Sequence, residues 1–203
     1  MKQNYQLILD KTIKEECSHK HPSLLLHACC APCSSYVLEY LSEYFDITLF
    51  FYNPNISPKK ENDFRADELI RLVKEMGLSE KIKTVIGVYE PEKFYAIVKG
   101  LEDLPEGGAR CARCYELRLS EAARLAAEGG YDFFTTTLSI SPYKNAEWLN
   151  SIGETQGEKY GVRYLTSDFK KRNGYKRSCE LSEIYGLYRQ NYCGCEFSKR
   201  KQA

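Results

Sequence analysis

The chain has no run of apolar residues long enough to cross a bilayer, and its N-terminus, MKQNYQLILDKTIKEECSHKHPS, is charged throughout. A membrane helix needs about 20 apolar residues and a secretory leader an apolar core of roughly 7–15. The sequence therefore reads as a cytoplasmic protein with no membrane partner. It also lacks an excess of either charge: 29 Lys and Arg against 28 Asp and Glu leave a net charge of +1. Global steering of a polyanion is excluded, and any such partner must be met by a local patch. Gly/Ser/Pro-rich linkers, internal repeats and low-complexity segments are missing too, so the 203 residues are expected to form one domain. Residues 1–22 would be a helical extension, and residues 168–203 would carry a basic segment, a helix and a cysteine pair.

What is present is a rhythm of short apolar runs alternating with helical patterns, which predicts an α/β fold with a mostly parallel, doubly wound sheet. The expected strands are Leu24–Ala28, Ile47–Tyr52, Lys83–Val88, Phe133–Leu138 and Val162–Leu165. The expected helices are Pro32–Tyr44, Pro58–Met76, Pro91–Val98, Ala112–Glu128, Asn145–Tyr160 and Ser178–Gln190. In such sheets ligands bind beyond the carboxyl ends of the strands. A nucleotide-binding protein of this kind would place a glycine-rich phosphate loop after its first strand. Here that position reads His27-Ala28-Cys29-Cys30-Ala31-Pro32-Cys33, which disfavours ATP-dependent activation.

Nine cysteines are the chain's most informative feature, and an odd number cannot all be paired internally. In a reducing compartment, grouped cysteines point to metal ligands or catalytic thiols before disulfides. Cys29-Cys30 sits in a strand-to-helix turn, and Cys111-Ala112-Arg113-Cys114 opens a helix, so each pair can present two sulfurs to one centre. Helix N-termini favour the negative charge of thiolates. Four sulfurs suit tetrahedral zinc or a cubane iron-sulfur cluster, and spacing alone does not decide between them. A Cys-Cys pair embedded in a strand-to-helix turn is unlike the paired knuckles of a zinc ribbon, which favours the cluster. Cys193-Gly194-Cys195 has the glycine that a strained, readily reduced disulfide would need, or it supplies two further ligands or ordinary thiols. Cys33 is a ligand to a second metal, a catalytic thiol or a core residue, while Cys17, Cys179 and His27 read as structural.

One local basic patch exists. DFKKRNGYKR, residues 168–177, carries Lys170, Lys171 and Arg172 with Tyr175 interleaved, and Lys199-Arg200-Lys201 follows near the end. Basic groups neutralise phosphates and aromatic faces stack exposed bases, although such a run also suits a solvated loop. Ser139 to Asn145 follows the fourth strand, where Tyr143, Lys144 and Asn145 are placed to contact a polar substrate.

Five strings, LHACCAPCSS, FFYNPNISP, RCARCYELRL, SISPYKN and YCGCEFS, together resemble in order and spacing the cobalamin-independent epoxyqueuosine reductases of the QueH family, over about Leu24 to Ser198. The resemblance implies a tRNA-modifying oxidoreductase that removes the epoxide oxygen of epoxyqueuosine at the wobble position, the last step of queuosine formation. It implies a fold similar to that of ATP pyrophosphatases, with cysteines in place of the phosphate loop. It also implies a 4Fe-4S cluster on Cys29, Cys30, Cys111 and Cys114 and a redox-active pair at Cys193 and Cys195. Deoxygenation needs two electrons, so a second redox or Lewis-acid centre is expected beside a one-electron cluster. A second iron would take Cys33 as a ligand, with Glu116 the next candidate. The partners expected are the tRNA anticodon stem-loop and an electron donor that the sequence does not name. Two rival readings are a cluster-dependent tRNA thiolase and a zinc-binding RNA module without catalysis.

Overall fold

The computed structural model describes residues 3–199. Five strands, β1 (Ser23–Ala28), β2 (Asp46–Phe51), β3 (Lys83–Ile86), β4 (Phe133–Thr136) and β5 (Arg163–Tyr164), form one sheet in the order β3-β2-β1-β4-β5. All pairings are parallel. Parallel strands require crossover helices, and these cover both faces. They are α1 (Tyr5–Glu16), α2 (Ala31–Leu41), α3 (Lys59–Glu75), α4 (Pro91–Val98), α5 (Ala109–Glu128), α6 (Ala146–Tyr160) and α7 (Gly174–Ile184). No helix among the described residues is long and apolar enough to cross a membrane.

Alternation along β1 divides the core. Leu24, Leu26 and Ala28 pack with Leu9 of α1, Val37 and Leu38 of α2, and Leu69 and Leu72 of α3, whereas Leu25 packs with Leu119 and Ala122 of α5 and Leu149 of α6. Leu9 is fully buried, so the N-terminal helix contributes to the first of these layers. Helix α7 packs against α2.

The strand order reverses direction between β1 and β4, and such a switch point opens a crevice at the carboxyl ends of the strands. The segments after β1, β2 and β4 converge there. The expected strand over 133–138 stops at Thr136, whose hydroxyl accepts from the Leu138 amide and folds Thr137–Ile140 into a 3-10 turn. The helix expected over 178–190 runs instead over Gly174–Ile184, so Cys179 lies within it and does not open it. Gly186, at φ 55°, turns the chain after α7 and frees residues 187–195 to cross back over the crevice. The helix expected over 32–44 likewise ends at Leu41, with Ser42 as its cap.

Candidate functional site

Cys30 is the extended residue before α2 and Pro32 lies in the first helical turn, where its missing N–H costs nothing. This turn brings the sulfurs of Cys29, Cys30 and Cys33 within 4.8 Å of one another, with Cys29 Sγ and Cys30 Sγ 3.8 Å apart. The Cys29 amide donates to Thr137 Oγ1 at 3.3 Å, tying the turn to the segment after β4. Within the triplet the neighbouring thiols of Cys29 and Cys33 hold Cys30 well below the ordinary thiol range, while Cys30 raises Cys29 and both neighbours raise Cys33. Three clustered sulfurs at a helix N-terminus form a soft donor set suited to iron-sulfur or zinc.

Cys111 and Cys114 lie in the first two turns of α5, with the Gly107 amide donating to Cys111 Sγ at 3.3 Å. Among the described residues they do not join the close sulfur triplet. Burial raises the Cys114 thiol to about 12. The two halves meet at Arg118, one turn beyond Cys114 and 2% exposed. Burial opposes its charge, but the neighbouring sulfurs of Cys114, Cys29 and Cys193 favour it, and the guanidinium lies above its ordinary range. Arg118 Nη2 donates to Asn53 Oδ1, and Asn53 Nδ2 donates to the Ala28 carbonyl at 2.9 Å. One buried cation therefore links α5, the segment after β2 and the end of β1.

His27, fully buried on β1, lies with Nδ1 2.8 Å from the Thr136 hydroxyl and Nε2 3.0 Å from the Tyr52 carbonyl. Burial, with Arg118 nearby, lowers it to about 3, so it is a neutral core residue, as its position on the first strand suggests.

The C-terminal segment closes the crevice. Cys193 and Cys195 are free thiols that point into different surroundings. Cys193 Sγ accepts from Lys144 Nζ at 3.2 Å, while Cys195 packs with Cys114, Phe94 and Val98 in an apolar cluster. Burial raises the Cys195 thiol to about 11. Arg65, 2% exposed on α3, pairs with Glu61 at 2.7 Å and donates to the Cys193 carbonyl at 3.4 Å. The Ser57 amide donates to the Gly194 carbonyl at 3.0 Å.

A cavity of about 410 Å³ lies between these parts, a size suited to a small-molecule moiety. Cys29, Cys30, Cys33, Cys193, Lys144 and Arg118 are among the residues lining it. Tyr143, 71% exposed, and Tyr175 also border it.

Comparison with known proteins decides the family. The model for "Epoxyqueuosine reductase QueH" matches residues 24–201. The chain belongs to the epoxyqueuosine reductase QueH family. It is 45% identical to the epoxyqueuosine reductase QueH of Staphylococcus epidermidis, covering 98% of this chain and 86% of that one. The relative from Streptococcus pyogenes is 43% identical over 98% of this chain and 79% of its own length. That from Thermotoga maritima is 39% identical over 87% and 90%. Among solved structures, the U34-tRNA thiolase NcsA from Methanococcus maripaludis with its [4Fe-4S] cluster superposes with a TM-score of 0.55, covering 94% of this chain and 67% of that one. At 14% identity that likeness shows the fold alone, an α/β architecture with a parallel sheet of the kind expected from the sequence.

Other residues singled out in the sequence are distributed unevenly. Tyr143, Lys144 and Tyr175 reach the cavity, whereas Asn145 uses its Oδ1 to cap α6, accepting from the Trp148 amide at 3.1 Å. Lys170 pairs with Asp168 at 2.6 Å and Arg172 with Asp10 of α1, while Lys171 is exposed. Glu116 pairs with Arg113 at 3.2 Å and borders a separate hollow beside Tyr52 and Lys159. Arg200 and Lys201 lie outside the described residues. Arg65, Glu106, Arg118, Gln190 and Tyr192 were not foreseen. Arg118 alone carried a signal, since positions 111, 114 and 118 share one helical face.

Proposed function

We propose that this protein reduces epoxyqueuosine to queuosine at the wobble position of tRNA, using a 4Fe-4S cluster held by Cys29, Cys30, Cys111 and Cys114. Membership of the QueH family makes it an oxidoreductase of queuosine biosynthesis with tRNA as its substrate. The observation that carries the site assignment is the cavity at the strand switch point, lined by three clustered thiols and by Cys193. The Cys29–Cys30 half supports the reading, with thiol sulfurs at a helix N-terminus, the Arg118 cation beside them and no carboxylate in the triplet, and Cys111 and Cys114 would supply the other half from α5. When bound, such a cluster supplies electrons singly.

The chain's own residues supply the rest. Cys193 and Cys195 form the two-electron pair, recharged by an external electron donor. Cys33, within 4.8 Å of its two neighbours, is the ligand for a second iron beside the cluster. Tyr143 and Tyr175 at the cavity rim and the exposed Lys171 are offered to the anticodon stem-loop, where unstacked bases are available.

The experiment is anaerobic incubation of reduced protein with epoxyqueuosine-containing tRNA, followed by nucleoside mass analysis and assay of iron and sulfide. Loss of one oxygen atom with iron and sulfide present is expected. An unchanged nucleoside, or colourless protein containing zinc, would overturn the proposal.

A further inference from the structure

Reducing an epoxide requires a proton at the departing oxygen, and most cavity-lining groups are unsuited to deliver one. Arg65, Arg118 and Arg189 line the cavity, but guanidinium does not release its proton in proteins. His27 does not line the cavity, and it is neutral and engaged at both ring nitrogens. Tyr192 lies beneath the cations of Arg65 and Lys199, and Tyr175 beneath that of Arg189. Tyr143 is 71% exposed at the rim.

Lys144 differs from all of these. It is the one lysine among the described lining residues, and its side chain is 7% exposed. Its Nζ lies 2.8 Å from Glu106 Oε1 and 3.2 Å from Cys193 Sγ. An ammonium has three N–H groups, so two hydrogen bonds leave one for a ligand. Its partners come from distant segments, the loop before α5 and the C-terminal crossing, and both line the same cavity.

We propose that Lys144 passes its proton to the oxygen leaving the epoxide and is recharged from the thiol of Cys193. The inference rests on the functional reading above and assigns a chemical role within it. The sum balances. Two epoxide C–O bonds break and a C=C bond forms, an S–S bond closes between Cys193 and Cys195, and the two S–H protons leave on the oxygen as water. Two thiols are oxidised by two electrons and the epoxide is reduced by two. The arrangement also couples the events in time. Burial opposes the Lys144 charge, and Cys193, Tyr115 and Glu106 together hold the ammonium above the ordinary lysine range. Closing the disulfide ties up the Cys193 sulfur that accepts from Lys144 Nζ, so the ammonium loses that partner as the electrons leave.

The test is single turnover of reduced protein with epoxyqueuosine-containing tRNA, comparing wild type, Lys144→Ala and Lys144→Arg, with iron content and tRNA affinity measured alongside. Both variants are expected to slow oxygen loss by about 10²- to 10⁴-fold, with iron content and affinity unchanged. Small alkylamines should restore Lys144→Ala, more so the more acidic the ammonium. A Lys144→Arg rate near wild type would show that charge alone suffices and would overturn the proposal. So would a Lys144→Ala protein that retains iron and tRNA yet ignores amines. If wild type itself leaves the nucleoside unchanged, the functional reading fails, and the proton route with it.

Discussion

Arg118 on α5 donates from Nη2 to the side-chain oxygen of Asn53, so a guanidinium 2% exposed is locked to the segment after β2 while facing the sulfurs of Cys114, Cys29 and Cys193. Replacing it by Met would keep the volume but leave Asn53 Oδ1 without its donor and remove the cation that lies beside the sulfurs. Loss of a charged hydrogen bond in a buried site costs about 3 kcal/mol. Urea unfolding of Arg118→Met should show a loss of that order, and the purified variant should retain less iron than wild type. Equal stability and iron content would show that the cation is incidental to the site.

Gly194 holds a φ of 101°, and a Cβ there would meet Arg65 Nη1 at 2.9 Å and Ile56 Cγ1 at 3.0 Å. Gly194→Ala combines backbone strain with a contact against buried α3, and is expected to cost about 1–3 kcal/mol. Because the displaced residues are Cys193 and Cys195, turnover should fall further than stability does. Comparing thermal unfolding with the turnover rate at a temperature where both proteins are folded separates the two effects.

Asp132 fastens the start of β1 to the segment before β4, accepting from the Ser23 amide and hydroxyl at 2.8 Å each. Those bonds lower its carboxyl below the ordinary value of 3.8. A depressed carboxylate stabilises the folded chain above 3.8 and loses that contribution as the pH falls through its folded-state value. Asp132→Asn should therefore be less stable at neutral pH, by under about 1 kcal/mol for so exposed a group. Unfolding curves of the two proteins should converge in acid.

Much of this layout was legible in the sequence, for a physical reason. The central strand is buried on both faces and reads as an apolar run, Leu24 to Ala28, broken only by His27, and Pro32, Pro58 and Pro91 mark helix starts, so the α/β order follows. The convergence of the Cys29 turn with the Ser139 segment follows from the rule for parallel sheets. What composition could not reveal is the crossing of residues 187–195, because it depends on one left-handed glycine, Gly186, and on the bonds of Arg65 to Glu61 and Cys193. Nor does a basic run disclose its own neutralisation. Arg172 and Lys170 spell a nucleic-acid patch in sequence, yet each has a carboxylate partner in the fold.

That neutralisation divides the patch into residues with different expected effects on tRNA binding. Tyr143, 71% exposed at the cavity rim, is free to stack on a base, a contact of about 1–3 kcal/mol. Tyr143→Ala should weaken tRNA binding by roughly tenfold or more. Arg172→Ala, which removes a charge already paired with Asp10, should change it far less. Filter binding with both variants at one fixed salt concentration reads the difference, and the reverse order would return the basic segment to first place.

The sulfur of Cys33 lies within 4.8 Å of those of Cys29 and Cys30, whereas Cys111 and Cys114, among the described residues, stand outside this triplet. If the cluster belongs to Cys29, Cys30, Cys111 and Cys114, replacing any one by Ser should remove both sulfide and the visible absorption of the protein. Cys33→Ser should leave that absorption and lower only the iron in excess of sulfide, because a lone second iron brings no sulfide with it. Cys193→Ser and Cys195→Ser should keep both metals and lose turnover, the first included. Were Cys33→Ser colourless and Cys111→Ser still brown, the cluster would sit on the triplet at the start of α2, and α5 would supply the second metal.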